Sequence, residues 1–467
     1  MTIPAADSAP VPAMTGRLGR LRGLRIWHAA GVRDFRLLWA SEGISVLGDQ
    51  FHAVALSWLV ISLTGSGLAL GTVLIAISVP RAILLLPMGV VADRRSPRSM
   101  MLLSHFARAG IVAAIAALIV SDNASIPALA ALGLLFGAAD AMSIPAMQAF
   151  VPRAAGDDRL PSANALLQGT LQMTSIAGPP VAGLVVAAAG TGIAFGVDAA
   201  SFVIAAGLLM MIGGARVPSR SGPGSSATGA LGAAAVPAPA PSAPGHAAGP
   251  IASETFLASL RDGLRYVIAD RAIAVLMLVS LVLNFALSGP ASVGLPWLAE
   301  LRYHAGPAGL GLLVTAWAIG GLAGTLVAGT ARLERQGGNV LVGLALAGLA
   351  VAVVGVAPSI PVAFAAFAVG GLCTGYVNIV AISWLQARVE RAMLGRVMGL
   401  VMLMGFGISP LSMAIAGALI DVNATALFLG AGGLMIVTTI GARAVGMVEL
   451  FDAPVVQARP GDAKARG

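Results

Sequence analysis

The sequence predicts an all-α membrane protein with twelve transmembrane helices in two similar six-helix halves. Of its 467 residues, 58% are apolar and only 10% are charged, and the mean hydropathy is +0.91. So few charged residues cannot cover the surface of a soluble body of this size. The chain also contains twelve apolar runs near the length of about 20 residues that a helix needs to cross the hydrocarbon core.

The apolar runs follow one another with short connections, except for one long gap after the sixth run. They are 35–63, 68–92, 99–121, 126–151, 161–189, 193–214, 272–298, 309–331, 339–357, 361–386, 397–420 and 424–447. Basic residues fall almost entirely in alternate connections, so the positive-inside rule places both termini in the cytoplasm of a bacterial inner membrane. These basic flanks also attract anionic membrane lipids. The net charge of +8 is spread over these loops, so we expect no nucleic-acid partner.

Composition divides the chain into five segments. Residues 1–34 are predicted to form a cytoplasmic tail with an interfacial helix, and 35–215 the first six-helix bundle. The segment 216–271 begins rich in Ser, Gly, Ala and Pro, which predicts a flexible linker, and it ends in an amphipathic helix. Residues 272–447 are predicted to form the second bundle, and 448–467 a cytoplasmic tail.

The second half of the chain repeats the first. Leu56-Ser57-Trp58-Leu59 matches Leu295-Pro296-Trp297-Leu298 at an offset of 239 residues. Glycines repeat at similar offsets: Gly71 and Gly89 match Gly311 and Gly329 at 240, and Gly137, Gly183, Gly196 and Gly207 match Gly371, Gly417, Gly430 and Gly441 at 234. A nearly constant offset predicts an internal structural repeat.

A charged segment separates the second and third apolar runs. Gly89, Asp93, Arg94 and Arg98 stand in the spacing of the loop signature G-x-x-x-D-R-x-G-R-[RK], which the segment resembles. That signature belongs to the major facilitator superfamily, although Ser96 here replaces the loop glycine. The resemblance implies a conformational switch loop, in which the acid accepts hydrogen bonds from the N-terminus of a facing helix. The alternative is that the arginines only mark the cytoplasmic side.

The fifth apolar run carries a motif of small residues and proline. Gly178, Pro179 and Gly183 resemble the G-P-x-x-x-G core of a fifth-helix motif found in antiporters of the superfamily. Such residues permit close helix packing and a kink.

Three ionisable residues lie deep in the first half. Asp49 and Asp140 are candidate proton-coupling sites, because a low-dielectric setting favours a neutral carboxyl group. The alternative for Asp49 is a hydrogen-bonding role that holds two helices together. Arg81 follows Pro80 near the middle of the second run and is expected to pair with Asp49, Glu42 or Asp140, either as a coupling residue or as a structural ion pair.

Three other polar residues are expected to have lesser roles. Arg108 lies nearer the cytoplasmic end of the third run and is expected to extend towards the membrane surface. Asp198 is expected near the outer mouth of the sixth run. His52, three residues after Asp49, is expected to be an interior histidine with its hydrogen bonds satisfied rather than a proton relay.

Short motifs also suggest a branch within the superfamily. Gly48-Asp49, Leu160-Pro161-Ser162-Ala163-Asn164-Ala165-Leu166 and Gly178-Pro179 are similar to segments of drug:proton antiporters, macrolide efflux proteins and the enterobactin exporter. This resemblance implies proton-coupled efflux of amphipathic small molecules, such as drugs or siderophores, by alternating access.

Other classes of protein fit the sequence less well. A facilitator or importer of a metabolite without proton antiport is the alternative, although it would usually need more polar residues in the second half. No Asp-rich metal motif or Ser/His/Asp set indicates an enzyme. The one cysteine, Cys373, cannot form a disulfide or a thiolate metal site within this chain. We therefore expect no metal and no cofactor, and a monomer.

Overall fold

The computed structural model describes residues 27–213, 256–330 and 336–452. The predicted interfacial helix before residue 35 falls largely outside these ranges, as do most of the predicted linker and the last 15 residues. The described helices are α1 (Arg33–Thr64), α2 (Gly67–Arg94), α3 (Pro97–Val120), α4 (Ile126–Asp140), α5 (Ser143–Ala155), α6 (Leu160–Met210), α7 (Phe256–Ala269), α8 (Arg271–Gly289), α9 (Gly306–Thr330), α10 (Gln336–Val356), α11 (Ile360–Arg388), α12 (Arg391–Ala444) and α13 (Met447–Asp452). Between α8 and α9, the chain stays helical through Pro290–Gly294, Leu295–Trp297 and Leu298–Arg302.

Local residue chemistry explains why these helices begin and end where they do. At the turn between α1 and α2, Gly65 adopts φ 62°, a left-handed conformation that glycine tolerates at a helix C-terminus. Ser66 then caps α2, because its hydroxyl accepts a hydrogen bond from the backbone N–H of Ala69. Pro97 begins α3 at a position where its missing N–H is not needed.

The described residues contain ten helical stretches that are long and apolar enough to cross a membrane. Two of them, Asp157–Met210 and Met393–Ala444, have 54 and 52 residues. Each contains a residue with non-helical backbone, Gly190 or Asn423, that divides it into two crossings. The division at Gly190 reverses the chain, since Thr170 and Ala205 both bond α1 within one turn, at Trp39 and Ser41. The described residues therefore make the twelve crossings that the sequence predicted.

The crossings alternate between two faces of the molecule. We call the face at which α1 begins the terminal face, and the face at which α1 ends, at Thr64, the distal face. Residues 33–210 form the first half and residues 271–444 the second half. Contacts on the distal face agree with this alternation, since Arg302 donates hydrogen bonds to Gly355 O at 2.5 Å and to Thr425 Oγ1 at 3.5 Å.

The two halves meet near the distal face along two helix pairs, α2 with α12 and α6 with α9. In the first pair, a Cβ added to Gly71 would lie 3.0 Å from the carbonyl oxygen of Met413. A Cβ added to Gly417 would lie 2.9 Å from the carbonyl oxygen of Gly67. Glycine therefore sets the close approach of these backbones, as small residues do between helices in lipid.

Candidate functional site

Arg108 lies at the centre of a buried ion network in the first half. Its guanidinium donates hydrogen bonds to Asp140 Oδ1 at 2.7 Å, Asp49 Oδ1 at 3.0 Å and Ser45 Oγ at 3.1 Å. The side chain is 2% exposed, and its guanidinium carbon lies 4.0 Å from the ring centroid of Phe202. The expectation that Arg108 extends to the membrane surface is wrong, because carboxylates from α1 and α4 hold it in the interior.

Asp140 is held by a second arginine. Arg81 Nε lies 3.1 Å from Asp140 Oδ2, which confirms the predicted pairing of Arg81 with one of the three acids. Asp140 is the last residue of α4, just before the helix is interrupted at Ala141 and Met142. Asp49 differs from Asp140, because its side chain is 35% exposed and it pairs with Arg108 without a contact to Arg81 among the ion pairs of the described residues.

A second buried pair lies beside the network. His52 Nδ1 lies 3.0 Å from Asp198 Oδ2, and the Asp198 side chain has no exposed surface. Asp198, which was expected near the outer mouth of the sixth run, is thus sealed from solvent in this state. Gly48 makes this packing possible, since a Cβ at that position would meet Ser201 Oγ and would lie 2.7 Å from Asp198 Oδ1. His52 also departs from the expected satisfied histidine, because its Nε2 has no hydrogen-bond partner among the described residues.

The side chains of Arg108 and Asp198 are more deeply buried than the sequence predicted, for different reasons. Arg108 lies at the midpoint of the 24-residue helix α3, and this depth alone would have indicated a buried charge that needs a partner. For Asp198, the sequence offers no comparable signal. Its burial depends on the direction in which the second segment of α6 turns after Gly190.

The predicted switch loop is mostly helical. Gly89, Asp93 and Arg94 belong to the last turns of α2, and only Arg95 and Ser96 separate α2 from α3. No atom lies within 4 Å of a Cβ added to Gly89, so this glycine does not admit a close neighbour in this state.

Arg98, in the first turn of α3, contacts the end of α6. Its Nε donates to Leu209 O at 3.0 Å, and one terminal nitrogen donates to Met210 O at 2.8 Å. A cation at a helix C-terminus satisfies free carbonyl groups and interacts favourably with the helix dipole. Both contacts lie within the first half.

We call the contact of α2 with α12 the first seam between the halves and the contact of α6 with α9 the second seam. The fifth-helix motif lies in the second seam. Gly183 packs against the carbonyl of Pro307, and Gly311 packs against the carbonyl of Pro179, while Gly178 faces α1. Gly71 and Gly311 are repeat equivalents, as are Gly183 and Gly417. In the first seam Gly71 of the first half contacts Gly417 of the second. In the second seam their equivalents, Gly311 of the second half and Gly183 of the first, lie in the same contact, as a two-fold relation between the halves requires.

A carboxylate joins the halves at the distal end of the first seam. Asp421, from α12, accepts hydrogen bonds from Ser66 Oγ at 2.7 Å, Gly67 N at 2.7 Å and Leu68 N at 3.1 Å. The N-terminus of α2 has free N–H groups and a positive dipole end, both of which favour an anion. We refer to this contact as the distal latch.

A cavity of about 380 Å³ lies almost entirely within the second half, and a more apolar cavity of about 310 Å³ lies beside it, between the two halves. Trp317 contributes to the walls of both. The first cavity is lined by Gln172, Leu276, Met277, Ser280, Leu283, Asn284, Leu287, Trp317, Gly321, Thr325, Gly371, Thr374, Gly375, Val377, Asn378, Ala381, Ile382, Leu385 and Val401. Gln172 comes from the first half, and its amide donates to Ala318 O at 3.3 Å across the seam.

Comparison with known proteins agrees with this architecture. A major facilitator superfamily model described as "Transmembrane secretion effector" matches residues 28–235. The multidrug efflux pump Tap of Mycolicibacterium fortuitum is 26% identical over 382 residues, covering 80% of this chain and 86% of the relative. Tap of Mycobacterium tuberculosis (strain ATCC 25618 / H37Rv) is 25% identical over 404 residues, covering 83% and 87%. The chain is therefore similar to transporters of the major facilitator superfamily.

Solved structures of the superfamily share its fold. The bacterial homologue of the iron transporter ferroportin in an inward-facing state has a TM-score of 0.66 at 13% identity, covering 90% of this chain and 99% of that one. The nucleoside transporter NupG has a TM-score of 0.63 at 13% identity, covering 88% and 98%. The family model, the efflux-pump relatives and the ten apolar helical stretches of the described residues together make this chain a multi-pass membrane transporter and not an enzyme.

Proposed function

We propose that this transporter exports amphipathic small molecules, such as drugs or siderophores, in exchange for protons. The efflux pumps named Tap match more than four-fifths of their own length to this chain, which supports export. The adjoining polar and apolar cavities at Trp317 suit a compound with both kinds of surface. The alternating closure of two halves would move such a compound across the membrane.

The charge balance of the ion network carries the proposal of proton coupling. Four acidic side chains, Glu42, Asp49, Asp140 and Asp198, lie in and beside the network, whereas its basic side chains are Arg81, Arg108 and His52, which is charged only when protonated. Unpaired charge is costly where water is excluded, so this arrangement favours bound protons. Among the carboxylates that form ion pairs in and beside the network, Asp49 has the most exposed side chain. It is therefore the acid best placed to exchange a proton with water.

In this proposal Asp49 binds the proton, whereas Asp140 and Arg81 position Arg108. Protonation of Asp49 neutralises its carboxylate and weakens its hydrogen bond from Arg108. Arg108 stays bound to Asp140, which Arg81 also holds, so the guanidinium keeps its position while its interaction with α1 changes. Asp140 and Arg81 thus position the cation whose pairing with Asp49 depends on the proton. This cycle would bias the closure of the two halves.

The remaining assignments follow from the positive-inside bias. We place the terminal face in the cytoplasm of a bacterial inner membrane, with anionic lipids at its basic flanks and the protein as a monomer. The moving bodies are residues 35–215 and 272–447, connected by 216–271. In the state that is closed at the terminal face, Gly89, Asp93, Arg94 and Arg98 would form the switch segment.

The test is proton release from everted vesicles loaded with protons by respiration. Addition of neutral and cationic amphipathic compounds should release protons through the wild-type protein, as reported by recovery of a pH-sensitive dye. Asp49→Asn should abolish this release, whereas Asp122→Asn, which removes an exposed carboxylate at the distal end of α3, should not. Wild-type rates in both Asp49→Asn and Asp140→Asn would contradict the proton site. Transport of compounds without proton movement would instead indicate a facilitator.

A further inference from the structure

The larger cavity is polar without being charged. Gln172, Ser280, Asn284, Thr374 and Asn378 face it, and none of its described lining residues is an Asp, Glu, Lys, Arg or His. The ionisable groups of the first half form the separate network around Arg108. Recognition in this cavity therefore depends on neutral hydrogen-bonding groups.

Several of these groups have unused hydrogen-bonding capacity. The amide of Asn378 is exposed and makes no hydrogen bond to the described residues, and the hydroxyl of the half-buried Ser280 makes none either. Asn284 donates through Nδ2 to Ser280 O at 2.8 Å, which leaves its Oδ1 available as an acceptor. By contrast, Thr374 donates to the carbonyl of Gly370 in its own helix at 2.8 Å. The available donors and acceptors thus cluster on α8 and α11.

The cavity also offers an aromatic surface beside these amides. Trp317 is half-buried between the two cavities, and Phe367 packs against it with ring centroids 5.5 Å apart. Gly371 and Gly321 line the cavity there without side chains, because the backbones of the two helices that carry them pack closely together. Aromatic stacking and amide hydrogen bonds together suit a planar group with hydroxyl or amide substituents.

We propose that this cavity binds the polar part of the transported compound as an uncharged, hydroxyl- or amide-bearing aromatic group, with Asn284 and Asn378 as the specificity-determining residues. This proposal rests on the transport function proposed above and names its substrate class. A permanent cation would lose hydration on entering the cavity without gaining a counter-charge from the described lining. Specificity then arises from this penalty as well as from the hydrogen bonds.

Calorimetric titration of the detergent-purified protein tests the proposal. The neutral probes are chloramphenicol and p-nitrophenyl glucoside, and the cationic probes are ethidium and tetraphenylphosphonium. We expect the neutral probes to bind more tightly than the cations. Asn378→Ala should weaken neutral-probe binding about fivefold, the effect of losing one neutral hydrogen bond. Asn378→Asp should shift the preference about tenfold towards the cations, because it adds a counter-charge at nearly constant shape.

The matched control is Asn123→Ala, which removes an exposed amide from the distal turn after α3 and should leave all four affinities unchanged. Size-exclusion profiles and unliganded melting temperatures establish that each variant is folded. Tighter binding of the cations to the wild type, no binding of either neutral probe, or unchanged affinities in both Asn378 variants would overturn the proposal. Binding in detergent requires neither a proton gradient nor export, so failure of proton coupling would leave this result intact.

Discussion

Removal of the distal latch should open the distal face. In Asp421→Ala, the N-terminus of α2 loses its hydrogen bonds from Gly67 N and Leu68 N to the carboxylate, as well as the one from Ser66 Oγ. The loss of a capping residue costs about 1 kcal/mol, and the loss of an anion at the positive end of a helix costs about 0.3–1 kcal/mol more. Asp421 is exposed, so solvent screening reduces the combined loss to about 1–1.5 kcal/mol.

A loss of about 1–1.5 kcal/mol corresponds to a 5- to 13-fold change in the ratio of closed to open molecules. The latch joins the two halves, so the loss falls on the distally closed state. Capping within a single helix would instead stabilise both states equally. We therefore expect the open population to rise by about that factor.

Cysteine labelling measures this population. Cys373 is the one cysteine of the chain, so Cys373→Ala gives a background into which Ser292→Cys is introduced. Ser292 lines the smaller and more apolar of the two cavities, between the halves. An impermeant maleimide, added outside intact cells, should label this position about 5- to 13-fold faster in Asp421→Ala.

Asp122→Asn is the charge control, because it removes a carboxylate from the distal face that makes no side-chain bond to the described residues of the second half. An unchanged labelling rate in Asp421→Ala would refute the latch. So would an equal increase in Asp122→Asn, since a general change in surface charge would then explain the effect.

Two further predictions concern stability. Arg108→Gln should lower the free energy of unfolding by about 3–5 kcal/mol, because it leaves Asp49 without its ion-pair partner and Asp140 with Arg81 alone; thermal unfolding in detergent checks this, and a loss below about 1 kcal/mol would contradict it. On the terminal face, partial burial tends to raise the pKa of Asp270, but hydrogen bonds from Arg388 and from the first turn of α8 hold it below its ordinary value. Wild-type protein should therefore exceed Asp270→Asn in stability by about 1 kcal/mol above pH 5, and this advantage should disappear as the pH falls through the lowered pKa; a pH-independent difference in melting temperature would contradict the assignment.

The sequence alone determined the class of fold and the fact that Arg81 pairs with an acidic residue. Runs of apolar residues with the length of a bilayer leave helices as the structure that satisfies every backbone polar group in lipid. An arginine near the middle of such a run needs an acid, and acids at similar depth are few, so the pairing with Asp140 was among three predicted possibilities. The repeated glycines were also visible as a constant offset, although their contacts were not.

The tertiary structure decided which charges meet. Depth in the membrane can be read from position along a helix, but rotation about the helix axis and the choice of neighbouring helix cannot. Arg108, Asp49 and Asp140 meet because α3 packs with the helices that carry the two acids. Asp198 is buried because the chain reverses direction at Gly190. Asp421, which the sequence places between two apolar runs, accepts a hydrogen bond from the other half of the molecule. Such contacts depend on the packing of residues far apart in the chain, and helix packing in lipid is set by the fit of surfaces that a linear pattern does not specify.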